Sequence, residues 1–219
     1  MIRSVLFDLD GTLTDSREGI VRCIAHALTA LGRECPDPAE LTRWIGAPLA
    51  HCFEALLDTS DETLIREAIR LYRERFVEHG MYENRVYPDI PAGLCALHGL
   101  GLRLWVVTSK PRLLAEQILE HFQLCSYFCA VYGSEPSGER TDKADIIRAV
   151  LESEGIRGCE SVMVGDREHD VRAARQNGVR AVAVLWGYGS REELELAHPD
   201  ATVCSVDELI DSLRRPARR

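Results

Sequence analysis

No apolar stretch of this sequence approaches the ~18 residues that a membrane-spanning helix requires. Its first residues, MIRSVLFDLD, also lack the apolar core of a signal peptide. The net charge of −9 over 219 residues leaves no basic excess, which argues against a nucleic-acid-binding protein. We therefore expect a cytoplasmic protein that binds neither a membrane nor a nucleic acid polymer.

The eight cysteines are scattered, and none of them forms a C-x-x-C pair. Cys125 and Cys129 lie close together, but no second pair at zinc-site spacing accompanies them. This pattern favours reduced thiols over a disulfide framework or a zinc site, and cysteine is commonly buried. We expect free thiols that are mostly buried.

Apolar and β-branched segments alternate with helical patterns over most of the chain. Predicted strands cover residues 2–7, 102–108, 127–132, 161–164 and 181–186, with a short sixth at 201–204. Predicted helices cover residues 91–98, 111–122, 142–154 and 169–177. Alternating strands and helices predict an α/β fold, a Rossmann-like parallel sheet with helices on both faces.

The interval between the first two strands breaks this alternation. Residues 15–82 contain helical stripes and no convincing strand, and Thr59 with Glu62 suggests a helix-starting capping box. We predict a helical cap domain at 15–82, inserted into a core domain formed by 1–14 and 83–219.

Polar side chains follow the predicted strands where the strands end. Because the carboxyl ends of parallel strands meet at one edge of a sheet, these side chains should converge. Carboxylates suit Mg²⁺, and hydroxyls with a lysine suit a phosphate. The candidate residues are Asp8, Asp10, Thr108, Ser109, Lys143, Asp166 and Asp170.

Lys143 is informative because it opens a predicted helix. A cation at a helix N-terminus opposes the helix dipole. Something else must hold this lysine, either an acid such as Asp170 or a bound anion.

The motifs DLDGT, VVTSK and GDREHD, together with Lys143, resemble those of the haloacid dehalogenase superfamily over essentially the whole chain. Within it the chain is similar to the phosphoglycolate phosphatase group, and its C-terminal half is similar to a 5′-nucleotidase-like branch. The resemblance implies a Mg²⁺-dependent phosphatase for a small phosphorylated metabolite, either a nucleoside 5′-monophosphate or phosphoglycolate. It leaves open whether the protein is a monomer or a homodimer.

The resemblance also implies roles for the matching residues. Asp8 would be the nucleophile that forms an aspartyl-phosphate, and Asp10 would be the general acid and base. The metal would be held by Asp8, Asp166 and the main-chain carbonyl of Asp10. The phosphoryl group would be bound by Thr108, Ser109 and Lys143, and Asp170 would act through Lys143 or a bound water.

Some assignments stay open at this point. Relatives often have a proline directly after the lysine, whereas this chain reads GERTDKADII, so Arg140 competes with Lys143. In the cap, Arg17, Arg43 and Trp44 are candidate substrate contacts, although each also fits an ordinary surface or core position. The same residues could serve a sugar-phosphate mutase, and a non-catalytic phosphate-sensing protein is the alternative outside enzymes.

Overall fold

The computed structural model describes residues 1–134 and 142–214 of the chain. The chain divides into two compact units. The core unit contains Met1–Thr14 and the chain from Val86 onward, and the helical unit is Asp15–Arg85. None of the helices in the described ranges is long and apolar enough to cross a membrane.

The regular elements follow one another as the alternation predicts. The strands are β1 Ser4–Phe7, β2 Thr14–Asp15, β3 Arg85–Val86, β4 Arg103–Pro111, β5 Val131–Ser134, β6 Ser161–Gly165, β7 Arg180–Val184 and β8 Ala201–Val203. The helices are α1 Arg17–Ala30, α2 Pro38–Leu41, α3 Leu49–Leu57, α4 Glu62–Arg75, α5 Ile90–Gly99, α6 Arg112–His121, α7 Lys143–Ser153, α8 Glu168–Gln176, α9 Arg191–Ala197 and α10 Val206–Arg214.

Six strands of the core unit form one parallel sheet in the order β5-β4-β1-β6-β7-β8. β1 lies in its centre, with Leu6 opposite Trp105 on one side and Met163 on the other. These three side chains are almost completely buried, as expected where helices cover a sheet. The predicted α/β fold is therefore confirmed, and the end of β1 lies in the middle of the sheet edge.

Two predicted strands have different limits in the structure. β4 continues to Pro111 instead of ending at Thr108, with a register shift against β5 between Val107 and Pro111. β5 begins at Val131 rather than at Tyr127, because a 3₁₀ turn occupies Cys125–Tyr127. The aromatic Phe128 favours a strand by propensity, but here its ring packs edge-on against Phe7.

The helical unit is held together by apolar packing and by one ionic network. Phe53, Tyr72 and Phe76 form a continuous row of aromatic contacts. Glu83 accepts hydrogen bonds from Arg75 at 2.8 and 3.0 Å and from Arg22 at 2.8 Å. Hydrogen bonding from Arg75 is the main cause that lowers the pKa of Glu83 to about 2. This network connects α1 and α4 to the segment that leads into β3.

Two smaller predictions are wrong. Helix α4 begins with Asp61, whose side chain accepts a hydrogen bond from the amide of Thr63 at 2.8 Å, so the Thr59–Glu62 capping box does not form. All eight thiols are free, but only Cys23 and Cys52 are buried. The other six are exposed: one lies in α5, and five lie in loops or short 3₁₀ turns of the chain.

Close backbone packing within the helical unit provides a test of the fold. A Cβ atom on Gly19 in α1 would lie 2.0 Å from the carbonyl oxygen of Gly80. We expect Gly19→Ala to lower the free energy of unfolding in urea, although alanine favours a helix by about 1 kcal/mol over glycine. The matched control is Gly99→Ala in α5, where a Cβ meets no atom within 4 Å and should raise it. Equal effects of the two substitutions would contradict this packing.

Candidate active site

Asp8 and Asp10 lie directly beyond β1, at the centre of the sheet edge. The amide of Asp8 donates a hydrogen bond to the carbonyl of Val164 in β6 at 2.9 Å, which continues the sheet by one residue. Both carboxylates are buried, with 3% and 8% of their residue surface exposed. Two buried acids this close in sequence need compensating cations, and the structure provides one for each.

The cation beside Asp8 is Lys143, the first residue of α7. Its Nζ lies 2.8 Å from Oδ1 of Asp8 and 2.5 Å from Oδ1 of Asp170. Burial by itself lowers the pKa of Lys143, but the charges of Asp170 and Asp8 more than reverse this effect and raise the pKa. The acid expected to hold a lysine at this helix N-terminus is therefore present, together with a second one.

Asp170 in α8 is occupied on both carboxylate oxygens. Oδ1 pairs with Lys143, and Oδ2 accepts a hydrogen bond from the amide of Arg167 at 3.0 Å. Burial raises the pKa of Asp170, but Lys143 outweighs burial and the pKa is lowered. This geometry fits a carboxylate that orients Lys143.

Asp166 follows β6 and is completely buried. Its Oδ2 accepts a hydrogen bond from the amide of Tyr188 at 2.7 Å, and its Oδ1 accepts one from the Thr12 hydroxyl at 3.3 Å. Gly11, with a φ of +86°, passes so close that a Cβ there would lie 2.2 Å from Oδ2 of Asp166. A side chain at residue 11 would displace this carboxylate.

Asp8, Asp166 and Asp170 together form a buried acidic cluster. One carboxylate oxygen from each lies within 4.8 Å of the others, which is a spacing that can hold a metal ion. Burial, countered by Lys143 and reinforced by Asp170, raises the pKa of Asp8 to about 6. Burial and the charges of Asp170 and Asp8 raise the pKa of Asp166 well above its usual range. Full ionisation of the three carboxylates would exceed the single charge of Lys143, and their all-oxygen chemistry fits a hard divalent cation.

Thr108 and Ser109 lie on the last part of β4, where the register shift occurs. Thr108 is buried, and its hydroxyl accepts a hydrogen bond from the amide of Lys110 at 3.2 Å. Ser109 is half-buried. Thr108 is the last buried residue of β4, and Ser109 follows it, so both lie towards the carboxyl end of a parallel strand in the core unit.

Lys110 is the site residue to which the sequence analysis gave no role. Its Nζ lies 2.8 Å from Oδ2 of Asp10, and both side chains are about one-tenth exposed or less. The only sequence signal was its position two residues after Thr108. The predicted strand end gave no reason to turn this side chain towards Asp10.

Arg17, Arg43 and Trp44 belong to the helical unit. Arg17 is exposed at the start of α1. The Arg43 guanidinium lies over the half-buried Trp44 ring, 5.0 Å from its centroid, and the ring also contacts His51 edge-on. A role in substrate contact stays a prediction for all three. Arg140, the competitor of Lys143, lies outside the described residues.

The chain is similar to known proteins over most of its length. The family model described as haloacid dehalogenase-like hydrolase matches residues 5–184. A 5′-nucleotidase of Pseudomonas aeruginosa is 48% identical over 92% of this chain and 90% of its own length. The tyrosine-protein kinase PtkA of Mycobacterium tuberculosis is 37% identical over 96% of this chain and 70% of its own length. A phosphoglycolate phosphatase of Aquifex aeolicus is 31% identical over 95% of each chain.

The charge of Asp166 generates a prediction about metal binding. We expect Mg²⁺ to raise the melting temperature of the protein, because a cation bound only by the folded state stabilises it, by about 2.7 kcal/mol at a hundred times its Kd. Asp166→Asn should melt higher than the parent in EDTA, because it removes a carboxylate whose ionisation burial and the neighbouring acids disfavour, and the amide can still bond Tyr188 and Thr12. It should lose the response to Mg²⁺.

Asp145→Asn, at an exposed position of α7, is the matched control and should keep the full Mg²⁺ response. If Asp166→Asn keeps it as well, the metal assignment is wrong.

The raised pKa of Asp8 predicts a pH dependence in the metal-free protein. The folded value of about 6 exceeds the ordinary value of 3.8, so the folded state binds more protons than the unfolded state between these limits. The contribution of Asp8 to stability is therefore full below about pH 4 and is lost as the pH rises through 6. Asp8→Asn should gain stability relative to the parent over this window in urea unfolding. A constant difference from pH 4 to 7 would exclude this.

Proposed function

The chain belongs to the haloacid dehalogenase-like hydrolase family, and we propose that it is a Mg²⁺-dependent phosphomonoesterase that forms an aspartyl-phosphate at Asp8. The observation that carries the proposal is the setting of Asp8. This buried carboxylate ends the central strand, has Lys143 at 2.8 Å on one oxygen, and lies in the acidic cluster with Asp166. The relatives named 5′-nucleotidase and phosphoglycolate phosphatase support hydrolysis as the reaction class.

In the first step an oxygen of Asp8 attacks the phosphorus atom of the substrate. The bond between phosphorus and the leaving oxygen breaks, and Asp10 gives its proton to that oxygen. Lys143 keeps the attacking carboxylate in place through Oδ1, and its charge reduces the repulsion between Asp8 and the anionic phosphate.

In the second step Asp10, now deprotonated, removes a proton from a water molecule. The water oxygen attacks phosphorus, the bond between Asp8 and phosphorus breaks, and inorganic phosphate leaves. One residue thus acts first as acid and then as base, and the proton that it takes from water replaces the one that it gave away.

The phosphoryl group between these steps needs hydrogen-bond donors on its outer oxygens. We assign them to the Thr108 hydroxyl, to Ser109 and to Lys143, which all lie in the core unit with Asp8. Thr108 is buried and already ordered by the amide of Lys110, so it loses little further freedom on binding.

The metal site would be formed by Asp8, Asp166 and the main-chain carbonyl of Asp10. Bound there, Mg²⁺ would stabilise the negative charge that spreads over the phosphoryl oxygens in the transition state. Asp170 is not needed as a ligand, because both of its oxygens already accept hydrogen bonds from Lys143 and Arg167. It holds Lys143 instead.

For the substrate we favour a nucleoside 5′-monophosphate over phosphoglycolate. The relative with the higher identity, 48% over nine-tenths of the chain, is named 5′-nucleotidase, and the phosphoglycolate phosphatase is 31% identical. The similarity to PtkA makes transfer of a phosphoryl group to a protein tyrosine the second candidate.

A substrate panel tests this proposal. With Mg²⁺ present, nucleoside 5′-monophosphates should release phosphate faster than phosphoglycolate or sugar phosphates do. Asp8→Asn should lower the rate by at least about 10⁴-fold, because no covalent intermediate can form, and EDTA should stop the reaction. The control is Asp145→Asn, which should keep the parent rate.

Three results would replace the proposal. Phosphoryl transfer from ATP to a tyrosine peptide, lost in Asp8→Asn and without phosphate release from the panel, would establish the kinase. Isomerisation of a sugar phosphate without release would establish a mutase. A folded protein that binds phosphate and shows no turnover in any of these assays would be a sensor.

A further inference from the structure

Asp10 is held at one of its two carboxylate oxygens. Lys110 Nζ lies 2.8 Å from Oδ2, and the side chains of Lys110 and Asp10 are 8% and 10% exposed. The other oxygen, Oδ1, is buried and has no hydrogen-bond partner among the described residues. The carboxyl group is thus fixed in orientation while one oxygen keeps its full hydrogen-bonding capacity.

The path of β4 brings Lys110 to this position. A register shift between Val107 and Pro111 interrupts regular pairing with β5, and the amide of Lys110 turns back to the Thr108 hydroxyl at 3.2 Å. The lysine side chain then reaches Asp10 inside the same unit. An uninterrupted strand would not bend at this point.

Lysine is rare in this chain. Of its 26 basic residues only two are lysines, Lys110 and Lys143, and all the others are arginines. Each lysine contacts one of the two proposed catalytic aspartates. An ammonium group is compact and can bind a single oxygen, whereas the planar fork of arginine engages both oxygens of a carboxylate. A chain this poor in lysine uses it where one carboxylate oxygen must stay available.

We propose that Lys110 is a positioning residue that selects the oxygen of Asp10 used for proton transfer. It binds Oδ2 in both catalytic steps, so Oδ1 carries the proton that goes to the leaving oxygen and later receives the proton from water. No proton passes through Lys110 itself. This inference rests on the proposed function, because it requires Asp10 to be the acid and base of a phosphomonoesterase.

The nature of the leaving group separates this role from phosphate binding. An alkyl phosphate releases a strongly basic oxygen that needs a proton, whereas p-nitrophenyl phosphate releases a stable phenolate that needs little help. A residue that positions the acid matters for the first substrate only. A residue that binds the phosphoryl group matters equally for both.

The experiment compares kcat/KM for p-nitrophenyl phosphate and for the alkyl monophosphate that the protein hydrolyses fastest, with Mg²⁺ present. This constant reports the first step, in which the leaving group departs. Lys110→Met should lower kcat/KM about 100-fold for the alkyl substrate, which is the usual scale of general acid catalysis. For the aryl substrate it should lower kcat/KM by less than about 10-fold. Lys110→Gln, which keeps a hydrogen-bond donor, should lie between Lys110→Met and the parent.

Three variants provide the comparison. Asp10→Asn should show the same selective loss, and adding Lys110→Met to it should cause no further selective loss, since the two residues act as one unit. Thr108→Val should lower kcat/KM by a similar factor for both substrates. Thermal melting of each variant shows whether it is folded, and Lys110→Gln serves if Lys110→Met is not.

The outcomes separate the role of Lys110 from the proposed function. Suppose that Asp10→Asn lowers kcat/KM selectively for the alkyl substrate, but both Lys110 variants lower it equally for the two substrates or leave it unchanged for both. The role of Lys110 is then overturned, and the phosphatase assignment stands. If Asp10→Asn is itself not selective, Asp10 is not the general acid, and the inference fails together with that part of the proposed function.

Discussion

The ion pair that the site depends on is the one between Lys143 and two buried carboxylates. Asp8 and Asp170 lie 2.8 and 2.5 Å from the same ammonium nitrogen, all three almost without solvent exposure. A single unpaired charge buried here would cost several kcal/mol, and removing Lys143 would leave two buried carboxylates without their shared cation. The first residue of α7 and the first turn of α8 are thereby tied to the end of β1. Because these ion pairs orient Asp8, the proposed nucleophile is held in place by elements of the rigid sheet edge.

Close backbone packing on the metal side complements this ion pair. Asp166 accepts hydrogen bonds from a backbone amide and from a hydroxyl group. The backbone at Gly11 and Gly187 passes so close to it that neither position has room for a side chain. Three carboxylates are thus held within a few ångströms without a full set of cations. Holding three carboxylates this close together costs electrostatic free energy, and a divalent cation bound between them would reduce that cost. The same electrostatic cost raises the pKa values of Asp8 and Asp166, because it favours their protonated forms.

Each of the two carboxylates proposed to react has a lysine beside it. Lys143 holds one oxygen of Asp8, and Lys110 holds one oxygen of Asp10. In each case the partner is a single-point donor, and a carboxylate with one oxygen engaged is oriented without being saturated. A nucleophile and a proton carrier both need this combination. The acidic residues are those expected from the family, whereas the contact of Lys110 with Asp10 is seen only in the structure of this chain.

The amino-acid sequence by itself determined the parallel sheet, the helical insertion pattern and the family, because hydrophobic periodicity and the strand-end motifs are local signals. It also singled out Asp8, Asp10, Asp166 and Lys143. Only the tertiary structure decided that Lys110 reaches Asp10, since a register shift between distant strands has no local signal. It likewise decided that six cysteines are exposed, because burial depends on which neighbours the fold brings over a residue. Contacts between residues far apart in sequence are set by packing, and packing is what a linear pattern does not contain.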